Sequence, residues 1–189
     1  MISNKRTIRN LFLAIICVSL FVGLGNDAHS HVEPNMPDPI AEMEYQIMLD
    51  LKPEDFETRY LLGMVYFRQK KYDLAVEELQ RVITEEPNHP YAYTGMGQVK
   101  MAHKEYDEAI EYLRKTIAIL PEDNHVYFYL GQAFEAKGEK AEAEKAYLTA
   151  IDNHKKISVA EKDKKNYERN LAMFQAALDT LRSSGNKEN

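Results

Sequence analysis

Residues 55–87 read DFETRYLLGMVYFRQKKYDLAVEELQRVITEEP, and the same pattern returns at 89–121 and again at 123–155. Leu62-Gly63 becomes Met96-Gly97 and then Leu130-Gly131. Tyr72-Asp73-Leu74-Ala75 becomes Tyr106-Asp107-Glu108-Ala109, with Lys140-Ala141-Glu142-Ala143 as a looser third copy. Pro53, Pro87 and Pro121 keep the same register, as do Ile83, Ile117 and Ile151. A fixed period of ~34 residues is that of a stacked helical hairpin, in which each unit buries its apolar face only against its neighbours.

Each unit predicts two helices. The first begins just after the proline, whose fixed φ and missing N–H are tolerated in a first turn but not in a helix interior. It spans about Asp55–Gln69, His89–His103 and Asn124–Lys137, with breaks at Lys70-Lys71, Lys104-Glu105 and Gly138-Glu139. Gly138 suits the left-handed conformation that ends many helices, and Asp73 and Asp107 stand where they would cap the second helices. Gly63, Gly97 and Gly131 fall inside the first helices, where glycine costs up to about 1 kcal/mol. That cost at one register implies close backbone approach by the partner helix, with Ala75, Ala109 and Ala143 as the matching small residues.

These residues resemble the tetratricopeptide repeat, whose motif has a large residue, Leu-Gly and an aromatic in the first helix, then Ala, an aromatic or Leu, Ala and Pro. The first copy supplies Leu62, Gly63, Tyr66, Ala75, Leu79, Val82 and Pro87. The second supplies Tyr93, Met96, Gly97, Ala109, Leu113 and Pro121, and the third Tyr127, Leu130, Gly131, Phe134, Ala143, Tyr147 and Ala150. Arg59, Lys100 and Lys155 depart from the motif, at a large residue, an aromatic and a proline. The resemblance implies an all-α, right-handed helical-hairpin solenoid of three repeats, at 54–87, 88–121 and 122–155. One period upstream, Ala41, Tyr45, Met48 and Pro53 mark a half-repeat helix at 40–53. Downstream, Tyr167, Leu171, Phe174, Leu178 and Leu181 form one stripe of a capping helix at 156–182, apolar inside and charged outside. Residues 183–189 are expected to be a disordered tail.

Lys5, Arg6 and Arg9 precede an uncharged run from Leu11 to Leu24, followed by small residues, Ala28 and Ser30 among them. This is the layout of a secretory signal over residues 1–30, cut before His31. The run is shorter than the ~20 residues that span a bilayer, so export to a periplasmic or extracellular space is the first expectation and an anchor at residues 11–24 the alternative. The single cysteine, Cys17, lies in that run behind Ile16, which is not the small residue a lipidated cysteine needs. Residues 31–39, rich in proline, read as a linker. The chain has a formal charge of −6, and loss of residues 1–30 would leave it more acidic still. Acidic chains bind phosphate backbones poorly, which disfavours nucleic acid; a basic partner is favoured electrostatically, although surplus acid also serves solubility.

A second stripe runs along the first helices: Glu57, Tyr60, Met64 and Phe67; Tyr91, Thr94, Gln98 and Met101; His125, Phe128, Gln132 and Glu135. Spacings of three and four put each set on one helix face, and the resemblance implies that this face lines a concave groove for a peptide or partner helix. For Tyr60, Met64 and Phe67 two readings stand, groove and packing, since an apolar helical stripe also marks burial. Tyr91, Gln98 and Gln132 are the better groove candidates, and Tyr60, Tyr91, Gln98 and Phe128 the expected contacts. Where the family's chaperone-tail receptors grip a carboxylate with Lys, Asn and Arg, this sequence has Tyr60, Met64, Gly95, His125 and Tyr129, none of which clamps a carboxylate in that way.

No metalloprotease, serine-hydrolase or phosphate-loop motif occurs, so an enzyme is not expected. No cofactor or metal is expected, with one weak alternative, a metal-binding amino terminus at His29 or His31. The half-repeat adds another: a homo-oligomer in which a second copy covers its open face. The sequence thus points to an exported adaptor or scaffold that binds a protein or peptide partner, with a membrane contact only through an uncleaved N-terminal segment.

Overall fold

The computed structural model describes residues 37–157 and 164–185. It contains α1 (Asp38–Leu51), α2 (Phe56–Arg68), α3 (Tyr72–Glu85), α4 (Pro90–Ala102), α5 (Tyr106–Ile119), α6 (Asn124–Lys137), α7 (Lys140–Lys155) and α8 (Lys164–Gly185), with no strand among the described residues. The signal expected at 1–30, the part of the expected linker up to Met36 and the part of the expected tail from Asn186 lie outside them, as do Cys17, His29 and His31. None of the described helices is long and apolar enough to cross a membrane. Each helix packs on its sequence neighbours, α2 with α3, α4 with α5 and α6 with α7 forming the hairpins; α2 also meets α4, and α4 meets α6. The first helices therefore line one side of the stack.

The turn inside each hairpin has one geometry three times. Lys71 N–H donates to the Tyr66 carbonyl (2.9 Å) and Lys70 N–H to the Phe67 carbonyl (2.9 Å). Glu105 and Lys104 repeat this on Lys100 and Met101, and Glu139 and Gly138 on Phe134 and Glu135. This is the Schellman turn, whose penultimate residue must be left-handed. Gly138 meets that demand at φ 89°, but Lys70 and Lys104 meet it at φ 60° and 64°. A side chain there costs on the order of 1 kcal/mol. Lys104→Gly is accordingly expected to raise the unfolding free energy by up to about 1 kcal/mol, read from urea midpoints; an unchanged midpoint would show the turn to be unstrained.

The same turn corrects the expected caps. Lys71, Glu105 and Glu139 are the N-caps of α3, α5 and α7 and make no side-chain capping bond. Because Lys71 closes the turn behind α2 while its carbonyl accepts from Ala75 N–H (3.0 Å), no residue is left over to act as a separate cap. Asp73 and Asp107 instead sit in the first turn of their helices, where the helix dipole favours a carboxylate. Side-chain caps occur on the first helices, at one register: Asp55 accepts from Thr58 N–H, His89 Nδ1 from Ala92 N–H, and Asp123 from His125 and Val126 N–H.

The glycines make the close approach expected of them, but onto large side chains of the partner helix more than onto its backbone. A Cβ on Gly63 or Gly97 would come within 3.0 Å and 2.9 Å of Leu79 and Leu113, and one on Gly131 would land on the Tyr147 ring. Lys100, in the place of an aromatic, is held by Glu105 and Glu108 at 2.6 Å each, and these carboxylates push its pKa up. Arg59, in the place of a large residue, is buried; its guanidinium bonds Glu78 Oε2 (2.8 Å) and the Pro53 carbonyl (2.6 Å). One period on, the Tyr93 hydroxyl bonds the Pro87 carbonyl (2.9 Å). Arg59 thus reproduces the tyrosine's tie to the preceding turn.

At the C-terminal end, Phe174, Leu178 and Leu181 of α8 are buried in one cluster with Phe128, Phe134, Tyr147 and Ile151, with Leu171 at its edge. The His154 ring stacks on Tyr167 at 4.3 Å. Its Nε2 lies 2.9 Å from the Tyr167 carbonyl, which can only accept, so Nε2 bears the proton and Nδ1 accepts from the Asn124 amide (2.8 Å). Ser183 and Ser184, expected in a tail, instead continue α8, each hydroxyl donating to the carbonyl three residues back. At the other end Asp38 and Pro39 already belong to α1, proline being acceptable in a first turn.

Candidate binding groove

The inner side of the stack is built by α2, α4 and α6, the helices that touch one another in succession. Tyr60 of α2 stands beside Tyr91 at the start of α4, ring centroids 6.1 Å apart, and His89 lies 5.3 Å from Tyr60 and 6.4 Å from Tyr91. Tyr91 is 43 % exposed, although its hydroxyphenyl ring is one of the larger apolar groups on the surface. Gln98 is hydrogen-bonded to Tyr129 of α6. His89 is fixed from two sides: Nδ1 accepts from Ala92 N–H, so Nε2 carries the proton and faces Glu57 Oε2 at 3.3 Å.

The residues expected in the groove separate into four groups. Tyr91 and His125 are exposed, and Tyr60, Gln98, Gln132, Phe67 and Met101 are half-buried. Gln132 helps to line a shallow cleft of about 430 Å³ between α6, α7 and α8, together with Glu135, Tyr147 and Thr180. Phe67 points along the hairpin bend, its ring 5.9 Å from Tyr72, and Met101 leans on the C-terminal core. Two others are spent on packing: the Thr94 hydroxyl meets Thr116 of α5 at 3.0 Å, and the Met64 sulfur lies where a Cβ on Gly95 would be 3.0 Å away. Phe128 is corrected outright. It is 6 % exposed, its ring 5.0 Å from Phe174 and 5.7 Å from Tyr147, because α8 closes over that register. Its neighbour Tyr129 takes the inner position instead.

Desolvation raises the phenol pKa of Tyr60 most strongly, with Glu57 adding to it; it also raises Tyr91, where Asp123 and Glu57 add, and Tyr129, where Asp123 adds and the Gln98 bond opposes. These phenols stay protonated in the fold when the tyrosines of an unfolded chain, near pKa 10, begin to ionise. Above that pH the unfolded state binds fewer protons than the folded one, so stability falls as pH rises. Urea midpoints are expected to hold from pH 8 to 9 and to drop beyond about pH 10, and to drop less in Tyr60→Phe. A midpoint flat through pH 11 would mean that the inner phenols are not protected.

A stack of hairpins with shared turns, small residues at each crossing and a continuous inner face is a helical-hairpin solenoid of the tetratricopeptide-like fold. The comparisons agree. A tetratricopeptide repeat model matches residues 94–156, and the model of anaphase-promoting complex (cyclosome) subunit 3 matches residues 40–116. No curated protein matches the chain. Among solved structures, MamA protein is 28 % identical at a TM-score of 0.56, the match covering 65 % of this chain and 70 % of that one. PcrH, solved with the chaperone binding region of PopD, is 16 % identical at a TM-score of 0.62, over 71 % of this chain and 96 % of its own. The type III secretion chaperone SycD of Yersinia enterocolitica, solved with a peptide of the translocator YopD, is 21 % identical at a TM-score of 0.56, over 68 % and 93 %. The described helices share the helical-hairpin solenoid fold of these tetratricopeptide-repeat relatives.

Proposed function

We propose that this protein is an exported adaptor that holds a segment of a protein partner against the inner face of its repeats. The observation that carries the reading is the Tyr60–His89–Tyr91 ring cluster beside Gln98 and Tyr129, which leaves Tyr91 open to solvent on the inner face. Rigid aromatic anchors lose little entropy on contact and are the common centres of binding energy. PcrH and SycD, alike in fold, were solved with segments of PopD and YopD, which is the precedent for such a role in this architecture. Export rests on the basic start and apolar run of residues 5–24.

A second reading has its own observation. On α1, Ile40, Met43 and Leu51 are 51 %, 55 % and 76 % exposed along one helical stripe, an apolar surface where the matching positions of α3 carry the exposed Leu74, Glu77 and Glu85. A second copy could cover it, making the protein a self-assembling scaffold. One experiment separates the two: crosslinked pull-down from the envelope fraction with wild type and with Tyr91→Ala/Gln98→Ala, helical content being checked in parallel. A partner lost in the double variant supports groove capture. The same partner retained moves the interface off the groove, and recovery of this protein alone favours self-assembly.

A further inference from the structure

Within that groove reading, we propose that the occupant is cationic: a segment of a protein partner whose arginine or lysine side chains lie over Tyr60 and Tyr91, toward the carboxylates of Glu57 and Asp123. The first helices carry few basic residues, and all of them are committed elsewhere. Arg59 is bonded to Glu78, Arg68 to Asp38, Lys100 to Glu105 and Glu108, and Lys137 to Asp107 and Glu139. The acids of the inner face have no such partner. Glu57 faces only the His89 Nε2–H, and with Nδ1 accepting from Ala92 that imidazole is neutral. Asp123 accepts backbone N–H groups at the start of α6, which leaves its charge in place.

The tyrosines point the same way. On other faces the chain sets its own cations over aromatic rings, Lys71 over Tyr66 at 5.5 Å and Lys115 over Tyr93 and Tyr112 at 5.6 and 5.1 Å. Among the described residues none stands over Tyr60, Tyr91 or Tyr129. Tyr91 of α4 lies between α2, which carries Glu57, and α6, which Asp123 caps, and both carboxylates act on its phenol. An aromatic face with nearby carboxylates attracts a guanidinium twice over, through the ring quadrupole and through the charge. Attraction of this kind also speeds encounter with a basic segment, the chain as a whole being at −6.

The test uses the full chain and a short labelled peptide alternating arginine with alanine, beside the same peptide with citrulline, which keeps the shape and removes the charge. The arginine peptide is expected to bind with a clear salt dependence, and the citrulline peptide roughly tenfold more weakly or worse. Glu57→Gln with Asp123→Asn should erase that difference while preserving both structural bonds, since asparagine also caps a helix; Tyr91→Ala should weaken both peptides. Equal binding of the two peptides, still lost in Tyr91→Ala, would overturn the cationic occupant and leave the groove standing. Arginine binding untouched by all three substitutions would overturn the groove as well, and absence of binding would overturn the cationic occupant.

Discussion

Arg59→Ala is expected to lower the unfolding free energy by about 3–5 kcal/mol, the typical result of removing one partner from a buried ion pair. Arg59 is 5 % exposed and its guanidinium makes two strong bonds, to Glu78 of α3 and to the Pro53 carbonyl before α2. Its removal would strand the Glu78 carboxylate, which is itself four-fifths shielded on its side chain, and leave a hole where the other repeats have tyrosine. The cost is one of incompleteness rather than of lost attraction. Arg59→Tyr with Glu78→Leu is therefore expected to recover most of the loss and to match or exceed the parent, the more so because Arg59 Nε makes no bond to the protein. Urea unfolding of the single and double variants decides it; a single variant within about 1 kcal/mol of the parent would show that water reaches the pair.

Phe174→Ala is the second large effect, at about 3–5 kcal/mol for a buried phenylalanine. Its ring is fully buried and meets Phe128, His125 and His154 at 5.0, 5.6 and 5.4 Å, so the cavity would be walled by three rings on two different helices. The loss should not stay local. Repeat arrays owe their cooperativity to contacts between neighbours, and α8 is what covers the last one. Fluorescence and circular dichroism transitions are expected to separate, α8 and α7 melting before α2–α5. Coincident transitions at an unchanged midpoint would mean that α8 is an appendage and not a cap.

Much of the fold was legible because a repeated chain states its rule several times. Gly63, Gly97 and Gly131 in helices announced close packing without any coordinates, and the stripe from Leu171 to Leu181 announced a covering helix. The caps were legible too, and were misplaced: Asp55, His89 and Asp123 share a register as strictly as the glycines do, but a histidine acting as an N-cap hides the series, and Asp73 and Asp107 have the more familiar chemistry. Inside the groove the limit was angular. Phe128 and Tyr129 are adjacent on α6, and which of them turns inward depends on where α8 lies, about 45 residues further along the chain. Spacing alone offered both. Arg59 could be read as a departure from the pattern, but not as a pair, since Glu77 and Glu78 are equivalent until α3 is docked.

The turn in which Lys71 both closes α2 and opens α3 has a mechanical corollary. A hairpin without a spare residue, locked by two bonds of 2.9 Å, has no joint at which its helices can swing. The connection between hairpins is looser: His89 N–H reaches the Glu86 carbonyl at 3.0 Å, and Asp123 N–H reaches that of Leu120 at 3.3 Å. Under load the array should behave as stiff plates on soft hinges. Tyr60 and Tyr91 stand on either side of one such hinge, so flexing it would open or close the distance between them like a pair of calipers, and a bound segment would act as the stop.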